Sequence, residues 1–189
     1  MLASASPRRA ELLTTLGLRF EVQAADVDES VHDGEDPAAY VERVACAKAM
    51  AGAAAADGSV VVAADTTVVL DGRILGKPTD ADDARRMLRG LADRTHDVLT
   101  AVVAASDGRT ASRVVATAVT FTPITDVQLD WYLTTGEPFD KAGAYGIQGA
   151  GGLFVSRIDG SYHNVVGLPL DVLRELVAEL GFDLLAWSR

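Results

Sequence analysis

Cysteine is almost absent from this 189-residue chain, and long apolar runs are absent altogether. Because Cys46 is the only cysteine, the sequence excludes an intramolecular disulfide and a metal site built from several thiolates. No apolar run approaches the roughly 20 residues that a transmembrane helix needs, and no signal-peptide pattern opens the chain. We therefore expect a soluble cytoplasmic protein that has no membrane partner.

Positive charge is also in short supply. The formal net charge is −10, with 17 Lys and Arg against 27 Asp and Glu. Nucleic-acid polymers bind to extended basic surfaces, so this balance argues against them as partners. It still allows a small anionic ligand in a locally basic pocket. With 49% hydrophobic and 23% charged residues, we expect one globular domain over residues 1–189.

Lysine is the scarcer of the two strong cations, with three residues against fourteen arginines. Lys48 lies on the predicted apolar face of a helix, Lys77 lies in a Gly-Lys-Pro turn, and Lys141 opens a glycine-rich stretch. Lysine carries a compact ammonium, whereas arginine carries a broad planar fork. A chain that prefers arginine elsewhere is expected to keep lysine where a compact charge is needed, which points to a phosphate site.

Apolar periodicity predicts alternating helices and strands. The predicted helices run from Ser6-Pro7 to Gly17, Asp36-Pro37 to Gly58, Thr79 or Asp80 to Leu91, Thr125 to Gly136, and Pro169 to Leu180. The predicted strands are a stub at Met1–Ala3, Arg19–Ala24, Val60–Ala64, two short strands around Asp71-Gly72, Val98–Ala105, Thr110–Phe121 and Gly152–Ile158. Crossover helices together with hairpins predict an α/β fold: a single domain with a twisted, mixed β-sheet flanked by helices, and two lobes around a central cleft.

The first candidate site is the start of the first predicted helix. The segment Ser4–Arg9 supplies two hydroxyls, from Ser4 and Ser6, and two guanidiniums, from Arg8 and Arg9. They fall where a helix presents free N–H groups and the positive end of its dipole, which together favour an anion. The alternative is a capped surface helix with two solvated arginines.

The second candidate is Asp65, followed by Thr66, directly after the predicted strand Val60–Ala64. Ligands of open α/β sheets bind beyond the carboxyl ends of strands, where an aspartate can hold a metal or act as a general base. Its alternative role is to cap a turn. One carboxylate of the acidic loop Asp26–Asp36 is a candidate to join it at a metal, although such a loop is ordinarily solvated.

The third candidate is the stretch Gly143–Gly152, which contains five glycines around Gln148. Glycine allows backbone to approach a ligand closely. The stretch matches neither the dinucleotide-binding fingerprint nor a P-loop, so an ordinary glycine-rich turn is the alternative.

Several segments occur in order over nearly the whole chain: Leu2–Leu13, Ala64–Thr66, Gly76–Pro78, Arg94–His96, Gly143–Gly149 and Gly160–Pro169. Together they resemble the Maf family of nucleoside triphosphate pyrophosphatases. Family members usually have a few more residues before Leu-Ala-Ser, so we expect a short first strand.

The resemblance implies hydrolysis of a nucleoside triphosphate to the monophosphate and pyrophosphate with a divalent metal, Mg²⁺ or Mn²⁺. The segment Ala144–Gly149 is similar to the branch that acts on dTTP, UTP and modified pyrimidine nucleotides, a house-cleaning activity. A homodimer is a further expectation from the family.

The resemblance also implies roles for individual residues. Asp65 is implied as the proton acceptor for water that attacks the α-phosphorus, with Glu29 completing the metal shell. The positions implied in base choice are Arg8, Thr66 and Gln148. Those implied around the phosphates and metal are Ser6, Arg9, Glu29, Lys48 and Lys77.

Two other functions remain open from the sequence. The family has been tied to arrest of septum formation, so one alternative is a nucleotide-binding regulator of cell division whose hydrolysis is secondary. The other is nucleotidyl transfer, for which the sequence offers no acceptor-site motif.

Overall fold

Helices and strands alternate along the chain in the computed structural model, which describes residues 1–56 and 58–188. The helices are α1 (Pro7–Thr15), α2 (Pro37–Ala55), α3 (Ala81–Leu91), α4 (Asp126–Thr134), α5 (Tyr162–Val166) and α6 (Leu170–Glu179). The strands are β1 (Val61–Leu70), β2 (Arg73–Leu75), β3 (Thr95–Ser106), β4 (Arg109–Phe121) and β5 (Val155–Asp159). The predicted α/β class is confirmed.

The five strands form one antiparallel sheet in the order β2-β1-β3-β4-β5. In its outer pairs, Val69 lies opposite Ile74, and Val119 lies opposite Ile158. A parallel component comes from Leu2, which forms isolated bridges to Val22 and Val62. The five strands are antiparallel, so the parallel pairing that was predicted is confined to these two bridges, and the expected stub of a first strand is this single residue.

Local turn and cap chemistry accounts for most element boundaries. The Asp36 carboxylate accepts hydrogen bonds from the N–H groups of Ala38 and Ala39, which starts α2. Asp71 and Gly72 have φ values of 51° and 74°, the left-handed pair that a tight hairpin turn requires. At α4, the side chains of Thr125 and Gln128 form the predicted capping box.

Two strand predictions need correction. The predicted strand Arg19–Ala24 is reduced to a bridge at Val22, because its partner, Leu2, offers only one bridging residue. The predicted strand Val60–Ala64 does not end at Ala64 but continues to Leu70, since the β-branched residues 66–69 favour extended backbone.

The end of the glycine-rich stretch also differs from the prediction. Residues Ala150–Phe154 form a 3₁₀ turn, and the strand begins only at Val155. Ser6 precedes α1 as predicted, but its side chain makes no capping hydrogen bond to the helix.

The chain divides into two compact units. Unit 1 comprises Met1–Asp65, Thr100–Val115 and Gly167–Arg189, and unit 2 comprises Thr66–Leu99 and Ala116–Val166. Each unit is built from separate stretches of chain. The single domain over 1–189 and the cleft between two lobes stay predictions.

Each unit has its own apolar core. In unit 1, buried residues of α2 and α6 include Val41, Val44 and Leu173. In unit 2, Phe121, Tyr132, Tyr145 and Phe154 pack against α3, with ring centroids of neighbouring aromatic pairs between 4.7 and 6.2 Å apart. Edge-to-face packing of this kind favours one arrangement of the rings.

Gly143 shows how closely the glycine-rich stretch approaches the sheet. Its φ is 68°, and an added Cβ would lie 2.8 Å from Cγ2 of Val68. Gly136 has a similar φ of 74°, but no atom of residues 1–56 or 58–188 lies within 4 Å of an added Cβ. An alanine would meet the same backbone strain at either position, but only at Gly143 would its methyl group also collide with a neighbouring side chain.

We expect Gly143→Ala to lower the free energy of unfolding by about 1–3 kcal/mol more than Gly136→Ala, because only the first overpacks the core. Urea denaturation of both variants measures the difference. Equal losses would mean that Val68 moves aside at no cost.

Candidate functional site

Three elements of unit 1 bring oppositely charged side chains together. The Lys48 ammonium, from α2, lies 2.6 Å from Oε1 of Glu29 in the acidic loop and 2.7 Å from Oδ1 of Asp65 on β1. Lys48 is 8% exposed and Asp65 is 7% exposed. We call these three residues the carboxylate–lysine cluster. A buried ammonium therefore joins a buried carboxylate to a more exposed one.

Helical periodicity explains why Lys48 points inward. Val41, Val44 and Lys48 follow each other at intervals of three and four residues, and all three are buried. The predicted placement of Lys48 on the apolar face is confirmed. Its methylene stem crosses apolar surface, and its ammonium finds carboxylates beyond it.

Asp65 does not lie where the sequence predicted. It is in the interior of β1, five residues before the strand ends at Leu70, and not at an exposed strand terminus. It is also no turn cap, since it accepts a hydrogen bond from Lys48. Because strand side chains alternate, Asp65 and Thr66 point to opposite faces of the sheet.

The start of α1 supplies a second cation to unit 1. Arg9 is 8% exposed, and its guanidinium donates to Oγ of Ser4 over 2.9 Å and to the carbonyl of Gly167 over 2.8 Å. The alternative of two solvated arginines is therefore wrong for Arg9. Arg8 and Ser6 are half-buried on the first turn. Ser4 belongs to the predicted anion site, whereas Gly167 had no predicted role.

Burial shifts the protonation equilibria of this region. It raises the pKa of the Asp65 carboxyl above its ordinary value, although the nearby cations Lys48 and Arg9 oppose that rise. It lowers the pKa of Arg9 to about 10, a shift that the charge of Asp65 opposes. A carboxylate with a raised pKa is a stronger proton acceptor.

Two side chains of α2 hold the acidic loop that carries Glu29. The hydroxyl of Tyr40 donates to the carbonyl of Glu29 over 3.0 Å. Arg43 donates to both carboxylate oxygens of Glu35, over 2.6 and 2.8 Å, and to the carbonyl of Ser30 over 2.8 Å. The loop is thus fixed beside Lys48. Sequence reasoning missed Tyr40 and Arg43, because neither belongs to a motif.

Unit 2 carries the other predicted site residues. Thr66 is half-buried on β1, Lys77 is exposed in the segment after β2, and Gln148 is exposed in a turn. The N–H of Gly143 donates to the carbonyl of Gly76 over 3.1 Å, so the segment with Lys77 contacts the glycine-rich stretch.

The donor set allows a test for a divalent metal. In the part of the chain that the structure describes, no three His, Cys, Asp or Glu side chains group closely enough to hold a metal ion alone. The carboxylates of Glu29 and Asp65 nevertheless face one shared cation, the Lys48 ammonium. Mg²⁺ commonly takes one or two carboxylates together with substrate phosphates. The two carboxylates fit a metal whose other ligands come from a phosphorylated substrate.

The raised pKa of Asp65 predicts an unusual pH dependence of stability. The folded protein holds this proton more tightly than the unfolded chain, so the ionised carboxylate costs stability as pH rises through the raised pKa. Below the ordinary pKa of about 4 the cost is absent. Asp65→Asn is therefore expected to raise the Tm at pH 8, with the gain shrinking toward pH 4.

Calorimetry across this pH range measures the effect. Asp97→Asn is a matched control, because Asp97 is exposed on β3. A lower Tm for Asp65→Asn than for wild type at pH 8 would show that Lys48 fully offsets the burial of Asp65.

Among residues 1–56 and 58–188, no helix combines the length and apolar character that crossing a membrane requires.

Comparison with known proteins gives one consistent result. The family model described as Maf-like protein matches residues 1–180. The chain is 54% identical over 193 residues to the dTTP/UTP pyrophosphatase of Anaeromyxobacter dehalogenans, covering 100% of this chain and 97% of that protein. It is 53% identical to the protein of that name from Moorella thermoacetica, again covering 100% and 97%. It is 50% identical to that of Chromobacterium violaceum, covering 97% and 95%. The chain therefore belongs to the Maf-like protein family.

Proposed function

We propose that this protein hydrolyses nucleoside triphosphates at the α–β phosphoanhydride, releasing the nucleoside monophosphate and pyrophosphate. The observation that carries the proposal is the buried Lys48 ammonium, held within 2.7 Å of both Glu29 and Asp65. The substrates proposed are dTTP, UTP and related or modified pyrimidine nucleotides, in a house-cleaning role. Relatives at 50–54% identity carry the name dTTP/UTP pyrophosphatase, which supports this class of substrate.

Asp65 is proposed as the proton acceptor. Hydrolysis requires a water molecule to be oriented toward the α-phosphorus and to lose a proton. The raised pKa of Asp65 makes it a better acceptor than an ordinary exposed carboxylate. Its position within β1 fixes the carboxylate, which limits the reorganisation needed at the moment of reaction.

Positive charge of the site is proposed to act on the phosphates. The transition state spreads negative charge over the phosphoryl oxygens and the leaving pyrophosphate. Lys48 and Arg9 are buried, so their interactions with such charge are screened less than those of surface cations. Arg8 and Lys77 are proposed to add further positive charge, and Ser6 a hydroxyl donor.

A divalent cation, Mg²⁺ or Mn²⁺, is proposed as the cofactor, with Glu29 and Asp65 as its protein ligands. When bound, such an ion neutralises phosphate charge and polarises the oxygens it touches. Lys48 lies between the two carboxylates and offsets their mutual repulsion.

Base selection is proposed to lie with Gln148, Thr66 and Arg8. The Gln148 amide offers one acceptor and two N–H donors, which suits a pyrimidine edge that carries a carbonyl next to an N–H. A homodimer remains a proposal from the family resemblance, and a cytoplasmic location remains one from the sequence. The names of the relatives favour the hydrolase over the division regulator and the nucleotidyl transferase.

Product identification tests the proposed function. Incubation with dTTP, UTP, CTP or GTP and Mg²⁺ or Mn²⁺ is expected to give monophosphate and pyrophosphate, fastest from dTTP and UTP. Chromatography of the products measures this. Tight binding without turnover would favour the regulator, and product formation only with an added acceptor would favour the transferase.

Asp65→Asn is expected to lower kcat by about 10²–10⁴-fold, the usual loss on removing a general base. Nucleotide binding should persist, because Lys48 and Arg9 remain. Rapid-quench kinetics and equilibrium binding separate the two effects. Wild-type turnover by this variant would exclude Asp65 as the proton acceptor.

Lys77→Arg is expected to cut kcat/KM by about tenfold or more, although the charge is kept, since a guanidinium fork cannot occupy the space of a compact ammonium. Arg73→Lys is the control, because Arg73 is exposed on neighbouring β2. Near-normal activity of Lys77→Arg would show that position 77 does not need the compact ammonium of lysine.

A further inference from the structure

The glycine-rich stretch of unit 2 is held by one carboxylate. Oε1 of Glu137 accepts hydrogen bonds from the Tyr132 hydroxyl over 2.8 Å and from the N–H of Gly151 over 3.0 Å. Its Oε2 accepts from the N–H of Ala150 over 2.8 Å. We call Glu137 and these three donors the Glu137 clamp. Glu137 thus binds the backbone at Ala150 and Gly151, shortly after Gln148.

The glycines make room for the side chains that hold the stretch. A Cβ added to Gly149 would lie 2.1 Å from Oε2 of Glu137, and one added to Gly151 would lie 2.6 Å from the Tyr132 hydroxyl. These glycines thus serve internal contacts of the clamp. Their close approach to a ligand, the sequence-based hypothesis, is not needed to explain them.

Lys141 supports the same arrangement. A Cβ on Gly146 would lie 2.7 Å from its Cε, so the Lys141 stem covers that glycine. Its ammonium donates to the Glu137 carbonyl over 3.1 Å and to Oδ1 of Asp140 over 2.6 Å. Lys141 therefore helps to hold the glycine-rich stretch through its own side chain.

The protonation states suit a permanent clamp. Burial would raise the pKa of Glu137, but hydrogen bonds from Gly151, Tyr132 and Ala150 outweigh it and lower that pKa. Burial and the adjacent Glu137 raise the pKa of the Tyr132 hydroxyl, which stays a donor. At neutral pH the clamp therefore consists of a charged acceptor and three neutral donors, and such hydrogen bonds are stronger than neutral ones.

The start of the stretch is fixed separately. The hydroxyl of Tyr145 lies 2.8 Å from Nε2 of buried His96. Burial lowers the pKa of His96 to about 4, so the ring is neutral at physiological pH. Gln148 thus lies between two anchors, with Tyr145 before it and the Glu137 clamp after it.

Orientation matters for Gln148 because its amide can turn over. Uracil and thymine present a carbonyl beside an N–H donor, whereas cytosine presents an amino donor beside an acceptor nitrogen. An amide that rotates by half a turn satisfies either pattern. A fixed backbone does not stop this rotation, but it fixes the position from which the amide reaches the base and so limits which edge lies within hydrogen-bond distance.

We propose that Glu137 is a positioning residue for base selection: its clamp fixes the turn at Gln148 and so enforces a preference for uracil and thymine over cytosine. This inference rests on the proposed function only in the identity of the ligand. In this role Glu137 acts through the backbone N–H groups of Ala150 and Gly151.

Glu137→Gln tests the inference with little change in shape. The amide supplies one acceptor oxygen, and its NH₂ group faces an N–H donor, so at least one arm of the clamp is lost. The control is Glu175→Gln, because Glu175 is exposed on α6 and pairs with Arg113.

Two measurements are made on the whole protein. The first is hydrogen exchange by mass spectrometry, in which peptides covering 143–152 should exchange faster in Glu137→Gln and peptides of α6 should not. The second is binding of α,β-methylene dTTP and α,β-methylene CTP, which needs no turnover. The dissociation constant of the CTP analogue divided by that of the dTTP analogue should fall by about tenfold in Glu137→Gln, the expected effect of losing one charge-assisted hydrogen bond.

Tyr132→Phe provides a graded second variant. It removes one donor from Glu137 and leaves both backbone donors, so its change in the binding ratio should be smaller than that of Glu137→Gln. Unchanged exchange in 143–152 would show that Glu137 does not hold the stretch. Faster exchange with an unchanged binding ratio would show that the held turn does not select the base. Failure of wild type to hydrolyse dTTP would instead overturn the proposed function. The ratio of dissociation constants would still test the role of Glu137, because binding needs no turnover.

Discussion

The Lys48 ammonium between Glu29 and Asp65 is the interaction around which the candidate site of unit 1 is arranged. Removing charges from water is costly, and a buried ion pair seldom stabilises a fold as well as apolar side chains of the same size would. The raised pKa of Asp65 shows that the cost is not fully recovered here. A fold that keeps such a cluster sacrifices stability for charge at a fixed position, which is typical of an active site.

Each member of the cluster comes from a different kind of structure. Lys48 is delivered by helical periodicity, Asp65 by a strand that runs on past it, and Glu29 by a loop that Tyr40 fastens to α2. The Glu137 clamp applies the same principle in unit 2, where one ionised side chain binds the backbone of a short 3₁₀ turn. Both units therefore use a partly buried charge to hold a segment that packing alone would leave loose.

The sequence predicted what is encoded locally. Caps such as Asp36 and hairpin turns such as Asp71-Gly72 depend on neighbours within a few residues, and these boundaries were confirmed. Lys48 was found by its period on the helix. Arg19–Ala24 was wrong as a strand because pairing depends on the length of a distant partner. Asp65 was placed at a strand end because the polar residues Asp65–Thr67 interrupt the apolar run, although the strand continues and stays largely buried as far as Val69.

The remaining site contacts lay beyond sequence reasoning for a physical reason. Glu137 and Tyr40 act through hydrogen bonds to backbone groups, and a backbone group leaves no trace in residue identity. A carboxylate close in sequence to a glycine-rich stretch could have indicated this contact, because glycine is needed where a side chain lies directly against the backbone. The indication is weak, since glycines are also needed for many other reasons. The glycine pattern itself was visible, but its cause was not.

The position of bond cleavage tests the account most directly. Hydrolysis of dTTP in water enriched in oxygen-18, followed by mass spectrometry of both products, reports which phosphorus the water attacks. If the site directs water to the α-phosphorus, the heavy oxygen will appear in the monophosphate and the pyrophosphate will remain unlabelled. Heavy oxygen in the pyrophosphate, or release of labelled orthophosphate, would contradict the account.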